Sequence, residues 1–187
     1  MKRFWLGFVA GIAFSFLAMM GIGYFLAQKL DRANEDLPKP ALIQSKTEKV
    51  SNLSMKLYDT RTDTPITGES FTNKIVFLNF WEYWCVPCKQ ELPAIERLYN
   101  SVNDSSVVFA IISTQKPEIV KKDKVLQEIK LPFYYVNGVL PDVLKGEAVP
   151  RTFIIARNGE IVVKEIGASA WDDEKVVRLI DSLKSIP

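Results

Sequence analysis

The sequence predicts a mixed α/β domain behind a membrane-spanning segment, and three features carry the prediction of the domain. Two uncharged apolar runs, Ile75–Phe80 and Val107–Ile112, are typical of strands that a sheet buries on both faces. Segments with helical spacing follow both runs. Near the C-terminus, Asn158-Gly159 lies between two strand-like runs and predicts a hairpin. Strands that alternate with helices and end in a hairpin give a mixed central sheet flanked by helices.

The remaining predicted elements complete the sheet and its helical layers. We expect, in chain order, a strand at Leu53–Tyr58, turns at Pro65 and Gly68, a helix after Cys88 whose apolar spacing reaches Tyr99, a helix over Ile119–Ile129, a brief strand at Phe133–Val136, a helical turn at Val139–Leu144, hairpin strands at Thr152–Ala156 and Ile161–Ile166, and an amphipathic helix over Asp172–Leu183. Acidic residues at the start of the last helix suit the positive end of its dipole.

An uncharged stretch over residues 4–27 follows the basic residues Lys2 and Arg3. At about 1.5 Å per helical residue it reaches roughly 36 Å, whereas the hydrocarbon core of a bilayer is about 30 Å thick. The alternative is a cleaved signal peptide. Its apolar region runs only about 7–15 residues, however, and bulky Phe25 stands where a small residue would favour cleavage. We therefore predict an uncleaved signal anchor over residues 1–27.

The charges at the two ends of this segment leave its orientation open. Lys2 and Arg3 favour a cytoplasmic N-terminus, but Lys29 and Arg32 follow the other end. A lone pair of cysteines that can form a disulfide is common in protein domains on the outer side of the cytoplasmic membrane. We therefore expect a single-pass protein of the cytoplasmic membrane, with its domain on the periplasmic or extracytoplasmic side.

A polar segment over residues 28–49 separates the predicted anchor from the domain. It contains Pro38 and Pro40 and shows little apolar periodicity. This composition predicts a tether that holds the domain off the bilayer. The folded domain is then expected over residues 50–187.

Composition and charge exclude several classes of function. The net charge of +2 comes from Lys2 and Arg3 and the rest of the chain is balanced, so the domain lacks the basic field that nucleic-acid binding requires. With two cysteines and no histidine, neither a four-thiolate nor a mixed cysteine–histidine zinc site can form. Haem attachment requires a histidine where Lys89 stands. We therefore expect no nucleic-acid partner and no cofactor or metal beyond a redox-active cysteine pair.

The two cysteines, Cys85 and Cys88, stand between the first buried strand and a predicted helix. The first of them faces free N–H groups and the positive end of the helix dipole, which favours a thiolate. Pro87 fits because the first helical turn needs no N–H from it, and Trp84 can shield a reactive thiol. A purely structural disulfide is the alternative, but so short a loop gives little entropic stabilisation. We predict that Cys85 attacks a disulfide and that Cys88 resolves the mixed disulfide.

The residues around this pair resemble a known signature. The run FLNFWEYWCVPCKQELPAIERL, residues 77–98, is similar to the active site of the thioredoxin-like family, and most to its membrane-tethered TlpA/ResA branch, which includes reductases of cytochrome c maturation. The resemblance extends from Ser51 to the C-terminus. It implies that Pro93 kinks the active-site helix and that Val149-Pro150 is a cis peptide bond lying against the disulfide. It also implies a central insertion within Val107–Val136.

Three residues depart from the family pattern. Asn79 stands where thioredoxins usually carry a buried acid, which leaves the proton path open. Glu82 replaces a small residue, and is either a substitute acid–base group or a solvated rim residue. Arg151 directly follows the expected cis-proline. It is either a cation beside the active sulfur, which would favour the thiolate and attract acidic partners, or an exposed arginine without a role.

These features together predict an extracytoplasmic thiol–disulfide oxidoreductase. Val86-Pro87 between the cysteines and the absence of histidine leave the thiolate weakly stabilised, which indicates a reductase. Its expected partners are exported proteins with disulfides, with apocytochrome c the leading candidate by resemblance, and a membrane thiol reductase as electron donor. The alternatives are a disulfide oxidase and a non-catalytic redox-sensing adaptor. A peroxiredoxin-like peroxidase typically needs a threonine where Glu82 stands.

Overall fold

The computed structural model describes residues 15–25, 37–42, 48–50, 53, 55–102 and 104–185. The chain divides into two compact units, Met1–Asp36 and Leu37–Pro187. In the first unit, residues 15–25 form an exposed helix, α1. Among the described residues, no helix is both long and apolar enough to cross a membrane. The rest of the predicted anchor lies outside the described residues, so the anchor stays a prediction.

The second unit is built on a mixed sheet, as the sequence predicts. Within the described residues, seven strands are arranged in the order β2-β1-β5-β4-β3-β6-β7. Strands β3, β4 and β5 run parallel to one another, and the other pairs are antiparallel. The strands are β1 (Leu57–Asp59), β2 (Pro65–Ile66), β3 (Ile75–Phe80), β4 (Val107–Ser113), β5 (Phe133–Val136), β6 (Arg151–Ile155) and β7 (Ile161–Ile166).

Helices connect these strands and cover the sheet. They are α2 (Val86–Val102), α3 (Pro117–Val120), α4 (Val125–Glu128) and α5 (Glu174–Lys184), with short 3-10 turns at Gly68–Phe71 and Asp142–Leu144. Helix α2 continues through Pro93, as its apolar spacing predicts. Asp173 caps α5, because its side chain accepts a hydrogen bond from the backbone N–H of Lys175.

The predicted lengths of one helix and one strand are wrong. The helix expected over Ile119–Ile129 is two separate turns, α3 and α4. Asp123 interrupts it, because its carboxylate accepts a hydrogen bond from the backbone N–H of Val125 and so competes with a continuous helix. The strand expected at Leu53–Tyr58 is confined to β1, which begins at Leu57.

The strand β3 is buried on both faces, which confirms the interpretation of its apolar run. On one face, Phe77 belongs to a core cluster that includes Leu92 of α2 and Ile180 of α5. On the other face, Phe80 belongs to a second cluster with Leu144, which lies in the segment before β6. The end of β3 is therefore fixed from both sides, and the cysteine segment follows directly from this rigid point.

Part of the predicted tether packs against the domain instead of standing free. Residues 48–50 lie beside the start of β7, where Lys49 forms a bridge with Glu160. Residues 38–42, which we call the strap, contact the domain as well: Pro40 is buried and Lys39 forms an ion pair of 2.8 Å with Asp173. The compact unit thus begins at Leu37, earlier than the boundary expected at residue 50.

The predicted hairpin is present between β6 and β7, and its turn supplies a test of the packing of residues 48–50. Gly159 has a φ of +80°, and a Cβ added there would lie 2.6 Å from the carbonyl oxygen of Val50. We expect Gly159→Ala to lower the free energy of unfolding by more than about 1 kcal/mol, since both the backbone conformation and the contact oppose a side chain. Urea unfolding followed by circular dichroism measures this.

Gly138→Ala is the matched control. Gly138 also has a positive φ, +143°, but no atom lies within 4 Å of an added Cβ. The control therefore carries only the backbone strain. Because a φ of +143° strains an alanine at least as much as +80° does, a larger loss in Gly159→Ala would show the effect of the Val50 contact. A loss well below about 1 kcal/mol in Gly159→Ala would mean that Val50 moves away to admit the side chain.

Candidate active site

The cysteine pair lies in the connection between β3 and α2. Cys85 directly precedes α2, and Cys88 lies in its first turn. The two form a disulfide with a Cα–Cα distance of 5.3 Å, and the backbone N–H of Cys88 donates a hydrogen bond of 3.2 Å to Cys85 Sγ. Cys85 is 3% exposed and Cys88 is fully buried. This order of burial suits an attacking first thiol and a resolving second thiol.

An apolar rim surrounds the pair at the surface. Trp84 is 57% exposed, and its neighbours Tyr83, Val86 and Pro87 are exposed as well. Trp81 differs, since it is buried and packs against the ring of Phe133 at 5.3 Å. Exposed aromatic and aliphatic groups beside a reactive sulfur provide a surface on which another polypeptide can pack.

The peptide bond between Val149 and Pro150 is cis, which confirms what the family resemblance implies. Pro150 is buried, and Val149 packs against the core cluster that contains Cys85 and Cys88. Strand β6 begins at the next residue, Arg151, which pairs with Phe80 at the end of β3. The cis-proline and the cysteine segment therefore lie at the same edge of the sheet.

Glu82 fastens the cysteine segment to the end of β4. Its carboxylate accepts hydrogen bonds from Ser113 Oγ (2.7 Å), from Thr114 Oγ1 (2.6 Å) and from the Thr114 backbone N–H (3.0 Å). Glu82 is only 4% exposed. The alternative of a solvated rim residue is therefore wrong. Its role as an acid–base group stays a prediction, and the contacts favour an anchor.

Arg151 is turned inward. It is 5% exposed, its guanidinium lies 4.0 Å from the ring centroid of Phe80, and it donates hydrogen bonds to the carbonyl oxygens of Leu144 (3.3 Å) and Ala148 (3.1 Å). Burial lowers its pKa, and the negative charge of Glu82 opposes that shift. The alternative of an exposed arginine without contacts is wrong. Arg151 holds the segment before the cis-proline, whereas its expected effects on the active sulfur and on acidic partners stay predictions.

Glu91 is a site residue that the sequence analysis missed. It lies in α2, one turn after Cys88, and it is fully buried. Its carboxylate accepts hydrogen bonds from Asn79 Nδ2 (2.8 Å), from the Ser169 backbone N–H (3.0 Å) and from Trp171 Nε1 (2.8 Å). Burial raises its pKa to about 7, against the opposing effect of these donors. The signal in the sequence was a glutamate within the apolar stripe of the helix.

Asn79 connects this acid to the sheet. Its Nδ2 donates to Glu91 and, at 2.8 Å, to Thr152 Oγ1, whereas its Oδ1 is buried without a hydrogen-bond partner among the described residues. The family resemblance implies that thioredoxins carry an acid at the position of Asn79. Here the buried acid lies on the helix and the amide holds it. A buried acid is therefore present in the site although Asn79 is not one.

Within Val107–Val136, where the resemblance implies an insertion, the chain forms the turns α3 and α4 between β4 and β5, and the insertion stays a prediction. The connection between α3 and α4 contacts the active-site helix through an ion pair of 2.7 Å between Lys89 and Asp123. Within the described part of the chain, no group of three or more histidine, cysteine, aspartate or glutamate side chains is arranged to hold a metal ion.

Comparison with known proteins agrees with this architecture. The model of the AhpC/TSA family matches residues 47–164. The chain belongs to the AhpC/TSA family. The thiol–disulfide oxidoreductase ResA of Geobacillus kaustophilus is 32% identical over 117 residues, which cover 61% of this chain and 66% of that protein. ResA of Halalkalibacterium halodurans is 27% identical over 170 residues, covering 89% of this chain and 88% of that protein. The first of these matches spans just under two thirds of its relative's length.

A solved structure confirms the thioredoxin-like fold of this AhpC/TSA family member. A putative thiol:disulfide interchange protein DsbE from Chlorobium tepidum aligns with a TM-score of 0.58 at 21% identity, over 73% of this chain and 97% of that chain. At this identity the likeness establishes the fold alone. The resemblance drawn from residues 77–98 is thus confirmed.

Replacing Glu82 distinguishes an anchor from an acid–base group. An amide nitrogen cannot accept hydrogen bonds from Ser113 and Thr114, so Glu82→Gln leaves a buried donor unpaired. We expect the free energy of unfolding to fall by about 1–3 kcal/mol in urea titrations. Glu118→Gln, at an exposed carboxylate, is the control and should change little. Unchanged stability with a slower thiol exchange would favour the acid–base role instead.

The pKa of Glu91 predicts a loss of stability as the pH rises. Below about 4.5 the side chain is protonated in the folded and the unfolded protein. Between there and about 7 only the folded protein retains the proton, so unfolding becomes easier as the pH increases. The carboxylate should cost about 3 kcal/mol of stability above pH 7. Urea unfolding at pH 5, 6, 7 and 8 measures it.

Glu91→Gln is the matched variant, because its amide stays neutral. Its oxygen can accept from Ser169 and Trp171, and the free Oδ1 of Asn79 can accept from its nitrogen if the Asn79 amide rotates. The difference in stability between the two proteins should therefore grow between pH 5 and pH 8. Parallel pH profiles would show that Glu91 does not titrate in this range.

Proposed function

We propose that this protein is an extracytoplasmic thiol–disulfide oxidoreductase that reduces disulfides of exported proteins. In this proposal residues 4–27 anchor it in the cytoplasmic membrane. The observation that carries the proposal is the pair Cys85–Cys88 at the start of α2, with an apolar rim outside it and a buried acid one helical turn inside it. The names of the ResA relatives support the same chemistry.

The reaction is a two-step exchange that starts from the reduced protein. The Cys85 thiolate attacks one sulfur of the substrate disulfide, so that a Cys85–substrate disulfide forms, the substrate S–S bond breaks, and one substrate sulfur leaves as a thiolate. The Cys88 thiolate then attacks Cys85 Sγ. This step closes the Cys85–Cys88 disulfide and releases the second substrate sulfur as a thiolate. Two electrons pass from the protein to the substrate.

The second step needs a base, because Cys88 must lose its thiol proton before it attacks and is fully buried in the disulfide form. Glu91 lies one turn further along the same helix face, which suits it to take this proton. A carboxyl group with a pKa of about 7 is part ionised and part protonated near neutral pH. It can therefore accept the proton of Cys88 and pass it on within one catalytic cycle.

The surroundings of the pair favour a reducing couple. Cys88 lies in an apolar cluster beside a carboxyl group, and both factors disfavour a second negative charge on sulfur. A reduced form whose thiolate is weakly stabilised gives up its electrons readily. In this proposal a membrane thiol reductase keeps the Cys85–Cys88 pair reduced. Exported proteins with disulfides are its substrate class, and apocytochrome c is the leading candidate by resemblance to the cytochrome c maturation reductases.

Two other functions make different experimental predictions. A disulfide oxidase would have a reduction potential near about −120 mV, whereas a reductase should lie near about −270 mV. A redox-sensing adaptor would bind a partner without exchanging disulfides with it. Equilibration of the full chain in detergent against a dithiothreitol series therefore separates the two directions, and absence of a reversible couple would favour the adaptor.

Replacing the resolving thiol should trap substrates. In Cys88→Ser the first step proceeds and the second cannot, so we expect mixed disulfides at Cys85 to accumulate at least about tenfold over the wild type. Non-reducing gels of membranes after acid quenching detect them. Cys85→Ser is the matched control and should trap nothing above background. If neither variant traps a partner while partner binding persists, the exchange mechanism is wrong.

A further inference from the structure

A row of polar side chains leads from the buried acid to the outer strand of the sheet. Asn79 on β3 pairs with Thr152 on β6, and Thr152 pairs with Glu165 on β7. Directly opposed residues on neighbouring strands share a face, with their Cβ atoms about 4.5–5.5 Å apart. Asn79 Nδ2 bonds both Glu91 and Thr152, which fixes this face as the one beneath α2. Glu165 therefore lies at the outer end of the row that begins at Glu91.

The strap contacts the outer end of this row. The backbone N–H of Ala41 donates a hydrogen bond of 3.0 Å to Glu165 Oε2. The neighbouring Pro40 is buried, and Leu42 packs against the cluster that contains Cys85 and Cys88. The strap thus holds the Glu165 carboxylate in a fixed place beside the sheet.

The strap also holds the segment that supplies two of the donors to Glu91. The carbonyl oxygen of Pro38 accepts a hydrogen bond of 2.9 Å from the backbone N–H of Ala170. Ala170 lies between Ser169 and Trp171, which both donate to the Glu91 carboxylate. Lys39 adds its ion pair with Asp173, just beyond this segment.

We propose that the strap and Glu165 are positioning elements of the buried acid, and that together they set the pH at which Glu91 exchanges its proton. The proposal deepens the proposed function, on which it rests for the use of that proton by Cys88. The effect of the strap passes through the Ser169–Trp171 segment and through the carboxylate of Glu165.

The two contacts act in opposite directions. Donors aligned on Glu91 stabilise its ionised form and lower its pKa, whereas the negative charge of Glu165 raises it. Of the other groups that face Glu91, Cys88 lies on the same helix, β3 and β6 contribute the neutral Asn79 and Thr152, and the charge of Asp173 is balanced by Lys39. The sign of a shift therefore identifies which contact has been changed.

The test is a direct titration of Glu91 in the oxidised full chain, in detergent micelles, by the carboxyl ¹³C shift of glutamate-labelled protein. Glu91→Gln assigns the resonance. We expect Glu165→Gln to lower the midpoint by about half a pH unit, because it removes a negative charge and keeps an acceptor for Ala41. We expect glycine in place of both Pro38 and Pro40, with Lys39 kept so that Asp173 stays paired, to raise it by about half a unit, because the donors of the Ser169–Trp171 segment lose alignment.

Lys164→Ala is the matched control. It removes an ion pair with Glu48 from the same strand, next to Glu165, without touching the strap. Its midpoint should equal that of the wild type. Unchanged midpoints in both test variants, or shifts of the same sign, would overturn the proposal. Because Glu165→Gln is a conservative change at a partly exposed position, it keeps the test valid even if the strap variant folds poorly.

A second measurement separates this proposal from the proposed function. The rate at which each reduced variant reduces a model disulfide is followed from pH 5 to pH 9, and its midpoint should move with the carboxyl midpoint. The carboxyl titration itself uses the oxidised protein and needs no exchange activity. Opposite shifts in that titration would therefore support the positioning role even if the protein has no reversible dithiol couple, a result that would remove only the proposed function.

Discussion

A carboxyl group inside a protein core requires hydrogen-bond donors, because neither its ionised nor its neutral form is well solvated there. Glu91 obtains three, from the strand β3 and from the connection between β7 and α5. The donors come from two distant parts of the chain, so the acid can be satisfied only when sheet, active-site helix and C-terminal connection are all in place. The position of the resolving cysteine depends on the same helix. Folding of the core and preparation of the site are therefore one event.

Two charged residues that depart from the family pattern fasten the segments that precede Cys85 and the cis-proline. Glu82 ties the segment before Cys85 to β4, and Arg151 ties the segment before the cis-proline to the ring of Phe80. Both side chains are buried, and neither presents its charge to solvent. A small residue in place of Glu82 would leave the segment without this bond. The departures thus replace flexibility with fixed geometry at the entrance to the disulfide.

The sequence predicts those parts of the molecule that depend on local pattern. The apolar runs identify β3 and β4, the pair Asn158-Gly159 identifies the hairpin, and the spacing after Cys88 identifies α2. The sequence does not predict the partners of Glu91. Helical spacing shows that position 91 faces inward, but not that Ser169 and Trp171, which are 78 and 80 residues further along the chain, will contact it. The packing of the strap was missed for a related reason, since polar composition does not reveal that Pro38 and Ala41 will hydrogen-bond to Ala170 and Glu165. Asp123 interrupted a helix that apolar spacing alone would continue.

If residues 4–27 anchor the chain in a membrane, as proposed, the early start of the compact unit limits how far the domain can stand from that membrane. With an anchor ending at residue 27, as proposed, only residues 28–36 separate it from Leu37. A chain of this length spans at most roughly 30 Å when fully extended. The domain would then share a thin layer of solvent with any other protein fixed in the same bilayer. Confinement of this kind raises the effective concentration of such a partner into the millimolar range. A membrane-bound electron donor could therefore act efficiently with little intrinsic affinity for the domain.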